Sequence, residues 1–140
     1  MLTFRQATPA DAPLLAELNH QLIRDEGHRN PMTAPQLEQR MLGLLQDGYA
    51  AVLFTGEHSS DPVAYALFRY TSDGVYLRQF FVRRGWRRAG IGRAAFAILR
   101  TLWPVGARVT VDVLIANAAA QSFWRSLGFS DYSLALEMQN

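Results

Sequence analysis

Residues 75–92 read VYLRQFFVRRGWRRAGIG, and they show two local patterns in succession. β-Branched and aromatic residues dominate the first half, as is typical of a strand, whereas Gly and Arg dominate the second half. Apolar residues then recur at helical spacing at Ile91, Ala95, Ile98, Leu99 and Leu102. The segment therefore predicts a strand, a glycine loop and the beginning of a helix.

The sequence on either side of this segment predicts further strands and helices. Strands are predicted at residues 2–7, 49–55, 62–70, 75–83 and 108–114, and a last one where Leu134, Leu136 and Met138 alternate. Helical spacing predicts two helices between the first two strands, one after the glycine loop and one at residues 118–127. The predicted order is βααβββαβαβ.

Connection lengths predict how these strands pair. Residues 49–83 hold three strands joined by connections too short for a helical crossover, so we expect an antiparallel meander there. The strand, helix and strand that follow predict one parallel step. The expected fold class is therefore α/β, an α+β sandwich with a mixed, mostly antiparallel sheet and helices on both faces.

Length and composition narrow the class of protein. The 140 residues are 49% hydrophobic and 19% charged, which predicts a single globular domain over residues 1–140. Cys is absent, so disulfides, thiolate nucleophiles and Cys-rich zinc sites are excluded, and no metal site is expected. This composition fits a reducing compartment, and a cytoplasmic location is the default expectation. No apolar run approaches the roughly 20 residues of a membrane helix, so no membrane partner is expected.

Positive charge is concentrated near the glycine loop. The formal net charge of +2 is too small to indicate a nucleic-acid-binding protein, so no nucleic-acid partner is expected. Several arginines nevertheless cluster in one short region, at Arg78, Arg83, Arg84, Arg87, Arg88 and Arg93. That concentration favours an anionic ligand at this place.

The glycine loop has the chemistry to bind a diphosphate. The first amides of a helix have no internal acceptor and lie at the positive end of its dipole, while Gly90 and Gly92 let the backbone approach closely. The plainer interpretation is a helix cap beside solvated arginines. A second alternative is a dinucleotide-binding loop with Asp112 about 20 residues on as a ribose ligand, but that fold places the loop after its first strand. A P-loop is excluded, since no Gly-Lys-Ser/Thr occurs.

Two motifs in the second half of the chain are specific enough to indicate a family. The first is Arg87-x-x-Gly90-x-Gly92, directly after the fourth predicted strand. The second is Asn117 after the fifth strand, followed by Phe123-Trp124 and by Leu127-Gly128-Phe129. Both resemble motifs of the GNAT superfamily of acetyl-CoA-dependent N-acetyltransferases. The resemblance extends over the whole chain, because that superfamily has the order of strands and helices predicted above.

The resemblance implies acetyl-CoA as the cofactor and an amine of a small molecule or peptide as the acceptor. It implies that amides of the glycine loop hold the CoA diphosphate and that the edge of the fourth strand, which separates from the fifth, pairs with the pantetheine arm. The cofactor-binding residues implied are Phe80, Phe81, Val82, Arg87, Arg88, Ala89, Gly90, Ile91, Gly92, Arg93, Asn117, Ala120, Phe123 and Trp124. Two of these have plainer roles open to them, Asn117 as a helix cap and Phe123 as a core residue.

The chain departs from the family pattern where an acid and a base are needed. Trp124 stands in place of a Tyr that donates a proton, and an indole is not a useful acid, so Tyr132 or a water is the candidate acid. Arg78-Gln79 stands where the family often has a carboxylate. The candidate bases are therefore Glu26, His28 and Asp112, each of which has a plainer reading as a surface residue or an arginine partner.

The loop after the first helix is the expected site of substrate recognition. Its polar residues, with Gln79, predict substrate contacts at Asp25, Glu26, His28, Arg29, Asn30 and Gln79. The acidic pair in this set favours a cationic amine. The expected function is direct acetyl transfer to a primary amine, and the missing Tyr leaves one alternative, a non-catalytic module that binds acyl-CoA as a sensor. An apolar last strand with an exposed edge would also suit a homodimer.

Overall fold

The computed structural model describes residues 1–87 and 89–140. Its strands and helices are β1 (Thr3–Gln6), α1 (Ala12–Glu26), α2 (Ala34–Gln46), β2 (Ala50–Thr55), β3 (Pro62–Thr71), β4 (Gly74–Val82), α3 (Ile91–Leu102), β5 (Arg108–Val111) and α4 (Ala118–Ser126). This order confirms the predicted one from the first strand to the last helix. None of the helices described has the length and apolar character that a bilayer crossing requires.

The strands form one sheet in which spatial order follows chain order, from β1 to β5. The pairs β1–β2, β2–β3 and β3–β4 are antiparallel, as expected of strands joined by short connections. β4 and β5 are parallel, with α3 as the crossover between them. The mostly antiparallel sheet with one parallel step is therefore confirmed.

Each face of the sheet buries a separate hydrophobic cluster. On one face α1 and α2 cover the sheet, with a cluster made by Leu15, Leu18, Leu22, Met41, Tyr49, Ala51, Leu53, Tyr65, Leu67 and Phe81. On the opposite face α3 and α4 pack against the sheet, with a cluster that includes Phe54, Val63, Phe68, Leu77, Phe96, Leu99, Trp103 and Trp124. The helices therefore lie on both faces, as predicted, and the sheet is the middle layer.

A β-bulge in β4 decides which side chains reach which face. Leu67 of β3 pairs with Gln79, but the next residue, Phe68, pairs with Leu77, so Arg78 is the extra residue. Because side chains alternate along a strand, one extra residue reverses the faces of everything beyond it. Leu77 accordingly packs on the α3 side and Phe81 on the α1 side, although both have odd numbers.

A short 3₁₀ turn at Pro9–Asp11, with Thr8 as its N-cap, leads directly into α1. Asp11 holds this turn, because its carboxylate accepts a hydrogen bond of 2.8 Å from the amide of Thr8. It also accepts two hydrogen bonds from the guanidinium of Arg5, of 2.9 and 2.8 Å. The carboxylate therefore joins β1 to the start of α1.

The last predicted strand is wrong. Residues 127–140 have no regular secondary structure, and Leu134, Leu136 and Met138 are exposed. The alternation reports only which side chains would share a face, whereas a strand also needs a neighbour to supply hydrogen bonds. β5, the last strand of the sheet, ends at Val111 and so is shorter than the predicted 108–114.

Candidate functional site

β4 and β5 separate beyond their first few residues. Their register runs from Gly74 opposite Arg108 to Leu77 opposite Val111, and β4 then continues to Val82 paired only with β3. Arg83 donates its amide to Val63 of β3, so the alternation of a strand turns the backbone groups of Phe80 and Val82 towards the opposite edge. The free edge of β4 therefore presents amides to the gap between the two strands.

The gap ends at the first turn of α3. Gly90 caps this helix in the left-handed conformation, with φ of +77°, and no described atom lies within 4 Å of where its Cβ would stand. Ala94 is the first residue to donate its amide within the helix, to the carbonyl of Gly90 at 3.0 Å. The preceding amides, of Ile91, Gly92 and Arg93, therefore have no intrahelical acceptor and lie at the positive end of the dipole.

Gly92 is needed for a different reason, which is the packing of α3 against α4. A Cβ at this position would lie 3.2 Å from two ring atoms of Phe123 and 3.8 Å from Cγ2 of Val82. Phe123 is partly buried against the core on the α3 side of the sheet. The second glycine of the motif therefore lets α4 approach α3, and Phe123 has a packing role whether or not it also contacts a cofactor.

The side chain of Arg87 is hydrogen bonded to other parts of the protein. Its Nε donates to the carbonyl of Val82 at 2.9 Å and its Nη2 to Asp25 at 2.6 Å, and its guanidinium lies over the ring of Phe81. Arg84 also donates to Asp25, at 3.1 Å. The arginine of the motif thus positions the loop through its side chain. Arg88, also predicted to bind the cofactor, lies outside the described residues.

The α4 side of the gap contains the second motif. The Oδ1 of Asn117 accepts a hydrogen bond of 3.0 Å from the amide of Ala120, which is the N-cap interaction that the plainer reading predicts. Trp124 is buried and contacts Phe80 and Phe96 edge to face. The indole of Trp124 is therefore mainly part of the aromatic core.

A cavity of about 330 Å³ lies between α1, α2 and the diverging ends of β4 and β5. It brings together several predicted residues that are far apart in the sequence, namely Glu26, His28, Asn30, Gln79, Phe80, Asp112 and Trp124. Two pairs within it are hydrogen bonded. Nε2 of His28 lies 2.8 Å from Oε2 of Glu26, and the hydroxyl of Tyr76 donates to Oδ2 of Asp112 at 2.8 Å.

Three of the residues predicted to act in catalysis or to contact the substrate do not line this cavity. Asp25 is engaged by two arginines on the loop before α3, which removes the acidic pair that favoured a cationic acceptor. Arg29 is exposed and paired with Glu137 at 2.8 Å. Tyr132, the candidate acid, is 80% exposed, with its ring under the guanidinium of Arg108. The sequence does not show which of these side chains reach the cavity, because that depends on how the helices and strands pack at their ends.

The cavity also contains residues that the sequence analysis did not select. Asn19, Arg40, Tyr76 and Arg78 line it, and only Arg78 had been noted, as part of the arginine cluster. Burial and the nearby Asp112 carboxylate raise the pKa of Tyr76 to about 12. Polar residues on the apolar face of a helix, as Asn19 is on α1, are the signal that could have found this group.

Comparison with known proteins gives the family. The model of the acetyltransferase (GNAT) family matches residues 15–129. Among curated proteins, no sequence matches the chain significantly.

Solved structures of similar fold cover most or all of the chain. An acetyltransferase from Thermus thermophilus is 22% identical, with a TM-score of 0.77 over 93% of this chain and 87% of that one. A ribosomal-protein-alanine N-acetyltransferase from Brucella melitensis biovar Abortus is 14% identical, with a TM-score of 0.76 over 99% and 100% of the two chains. A predicted acetyltransferase from Clostridium acetobutylicum with acetyl-CoA is 17% identical, with a TM-score of 0.73 over 99% and 96%.

At such low identity these likenesses show the fold alone. The family match is independent of them and covers most of the chain, including both the glycine loop and the helix after β5. The matched residues, the separated strands and the fold lead to one conclusion, that the chain belongs to the acetyltransferase (GNAT) family.

Proposed function

We propose that the protein is an N-acetyltransferase that moves an acetyl group directly from acetyl-CoA to a primary amine of a small molecule or peptide. The observation that carries this proposal is the position of β4. At one end of its free edge, Val82 lies against Gly92 in the first turn of α3, and further back Phe80 lines the cavity. One strand edge therefore joins a diphosphate-binding turn to a cavity that contains ionisable side chains.

The residues along this path fit coenzyme A in three respects. The amides of Ile91, Gly92 and Arg93 suit the diphosphate, because they have no acceptor within the helix and lie at its N-terminus. The open space beside Gly90 allows close approach to that backbone. The free amides of Phe80 and Val82 suit the amide groups of the pantetheine arm, which would add to β4 as a strand does. When bound, acetyl-CoA supplies the acetyl group as an activated thioester.

Glu26 and His28 are the residues proposed to remove the proton from the acceptor amine. Since Nε2 of His28 is held by Glu26, Nδ1 is the ring nitrogen left to accept a proton. Glu26 fixes the orientation and tautomer of the ring, as an acid partner does for a catalytic histidine. Asp112 is the weaker candidate, because its carboxylate already accepts the hydrogen bond from Tyr76.

The proton donor at the end of the reaction is proposed to be His28 itself. Tyr132 does not line the cavity, and the raised pKa of Tyr76, about 12, makes that hydroxyl a hydrogen-bond donor and a poor acid at neutral pH. A proton taken up at Nδ1 of His28 remains in the same cavity. The side chain that accepts it is therefore also placed to release it.

Two measurements on the purified protein test the proposal. Calorimetric titration with coenzyme A should show saturable binding, and incubation with acetyl-CoA and a panel of amines should release free thiol and give an acetylated amine detectable by mass spectrometry. Absence of binding would remove the cofactor assignment. Binding without turnover of any amine would instead favour a non-catalytic acyl-CoA sensor, for which the buried indole of Trp124 in place of a Tyr is the supporting observation.

A further inference from the structure

Two arginines line the cavity without a carboxylate partner. Arg40 comes from α2 and Arg78 from the bulge of β4, and both are on the side of the sheet that α1 covers. Neither takes part in any ion pair among the residues that the structure describes. The two carboxylates of the cavity are engaged elsewhere, Glu26 by His28 and Asp112 by Tyr76. Neither guanidinium is thus paired directly with a carboxylate among the described residues, and each has N–H donors left for a ligand.

Arg40 is held in place by a buried polar network. Its Nη2 donates to Oδ1 of Asn19 at 2.9 Å, and Asn19 is only 1% exposed. Its Nε is buried and has no acceptor among the described residues. Burial, with a smaller contribution from Arg78, lowers the pKa of Arg40 below its ordinary value. A guanidinium kept in such surroundings is stabilised by an anion, because burial makes an unpaired charge costly.

Arg78 is fixed by a different contact. Its guanidinium lies 5.5 Å from the centre of the Tyr49 ring, and Nη1 donates to the Tyr49 hydroxyl at 3.3 Å. Arg69 lies over the same ring at 5.2 Å but does not line the cavity. Stacking on Tyr49 therefore does not by itself explain why Arg78 stands at the bulge, where its side chain borders the cavity.

We infer that the acceptor is an amine that also carries a carboxylate, such as a free amino acid, and that Arg40 and Arg78 bind this carboxylate. Guanidinium groups match the planar geometry of a carboxylate and form charge-assisted hydrogen bonds to it. The amino group of such an acceptor then lies towards Glu26 and His28, on the same cavity. The inference rests on the proposed acetyl transfer and narrows its substrate class from amines in general to zwitterionic ones.

The test compares each L-amino acid with its own α-amide as acceptor. The two have the same amine and side chain and differ only in the carboxylate. The ratio of kcat/KM for the acid to kcat/KM for the amide therefore measures recognition of the carboxylate. We expect the acids to be preferred by at least about tenfold, the value of one charge-assisted hydrogen bond pair, and the preference to vanish in Arg40→Gln and in Arg78→Gln. Arg69→Gln, the matched control on the same Tyr49 ring, should keep the preference.

Three results would overturn the inference. The amides could be acetylated as well as the acids, or the two cavity variants could reduce acids and amides equally, which would mean a structural role. Phosphoethanolamine could also be preferred to every amino acid, which would make the bound anion a phosphate. Thermal melts of Arg40→Gln and Arg78→Gln check that each variant is folded, and Arg78 is the safer position because its side chain is exposed.

Equilibrium binding separates this inference from the proposed function. If no amine is acetylated, the L-amino acids are titrated into the protein loaded with coenzyme A. Saturable binding that weakens about tenfold or more in Arg78→Gln and persists in Arg69→Gln would support the carboxylate site even without turnover. Absence of binding, or equal binding to both variants, would overturn it.

Discussion

Asp25, near the end of α1, accepts a hydrogen bond of 2.6 Å from Nη2 of Arg87, which lies in the loop before α3. The same guanidinium donates through Nε to the carbonyl of Val82, at the end of β4. The Asp25 side chain is only 16% exposed, so solvent screens this interaction less than it screens an exposed ion pair such as that of Met1 with Glu57. One carboxylate thus ties α1 and β4 to the turn proposed to bind the diphosphate.

Replacing Asp25 by Asn should therefore weaken cofactor binding without touching the cavity. We expect KM for acetyl-CoA to rise about fivefold, the equivalent of about 1 kcal/mol, because Arg87 loses its anionic partner and the loop is held less firmly. The matched control is Asp131→Asn. Asp131 follows α4, and the change breaks its ion pair of 2.9 Å with Arg125 of that helix. Steady-state kinetics that showed the same KM in both variants would contradict this role.

The glycines at positions 90 and 106 provide a matched pair. Both are left-handed, with φ of +77° and +81°, and neither has a described atom within 4 Å of the position of an added Cβ. Each change to Ala should lower the free energy of unfolding by about 1 kcal/mol through backbone strain. Only Gly90→Ala should also raise KM for acetyl-CoA, because only this turn faces the proposed diphosphate site. An unchanged KM in Gly90→Ala would count against that site.

Glu26 and His28 should act on turnover and leave cofactor binding alone. We expect Glu26→Gln and His28→Gln each to lower kcat about a hundredfold, the usual effect of losing a general base or its partner, with KM for acetyl-CoA unchanged. Glu17→Gln, on the exposed side of the same helix, serves as the control. If Asp112→Asn lowered kcat more than Glu26→Gln and His28→Gln do, the base would have to be reassigned to Asp112.

Asp11 should make stability depend on pH in the acid range. The guanidinium of Arg5 and, to a smaller extent, the amide of Thr8 lower the pKa of Asp11 from its ordinary 3.8 to about 2 in the folded state. A depressed pKa stabilises the fold above the unfolded value, and this contribution is lost as the pH falls from about 4 through about 2. Urea unfolding should show Asp11→Asn less stable by about 1 kcal/mol at neutral pH.

The effect of pH on the stability of Asp11→Asn relative to the wild type tests whether the carboxylate stabilises the folded state. Their difference in unfolding free energy should stay constant down to about pH 5 and then shrink towards about pH 2, as Asp11 becomes protonated in both folded and unfolded states. A difference that grew on acidification would mean that the carboxylate destabilises the folded state.

Most of the fold is predictable because its signals are local. Apolar residues at intervals of three and four predict the helices. The connections between the three strands of residues 49–83 are too short for a helical crossover, so these strands pair antiparallel. The prediction of a last strand is wrong because it rests on a local signal alone. Alternation of Leu134, Leu136 and Met138 is a local signal, but pairing depends on a neighbour that β5 does not supply.

The candidate site likewise has parts set by local sequence and parts set by tertiary structure. By itself the sequence determines the glycine turn at the start of α3, because the requirements for a left-handed residue and for free amides act within a few residues. Only the tertiary structure decides that Asp25 belongs to the loop before α3 and not to the acceptor cavity, and that Arg40 and Arg78 meet there. Charges interact through distances of a few ångströms in space, and those distances depend on the bulge in β4 and on the packing of α1 and α2 over the sheet.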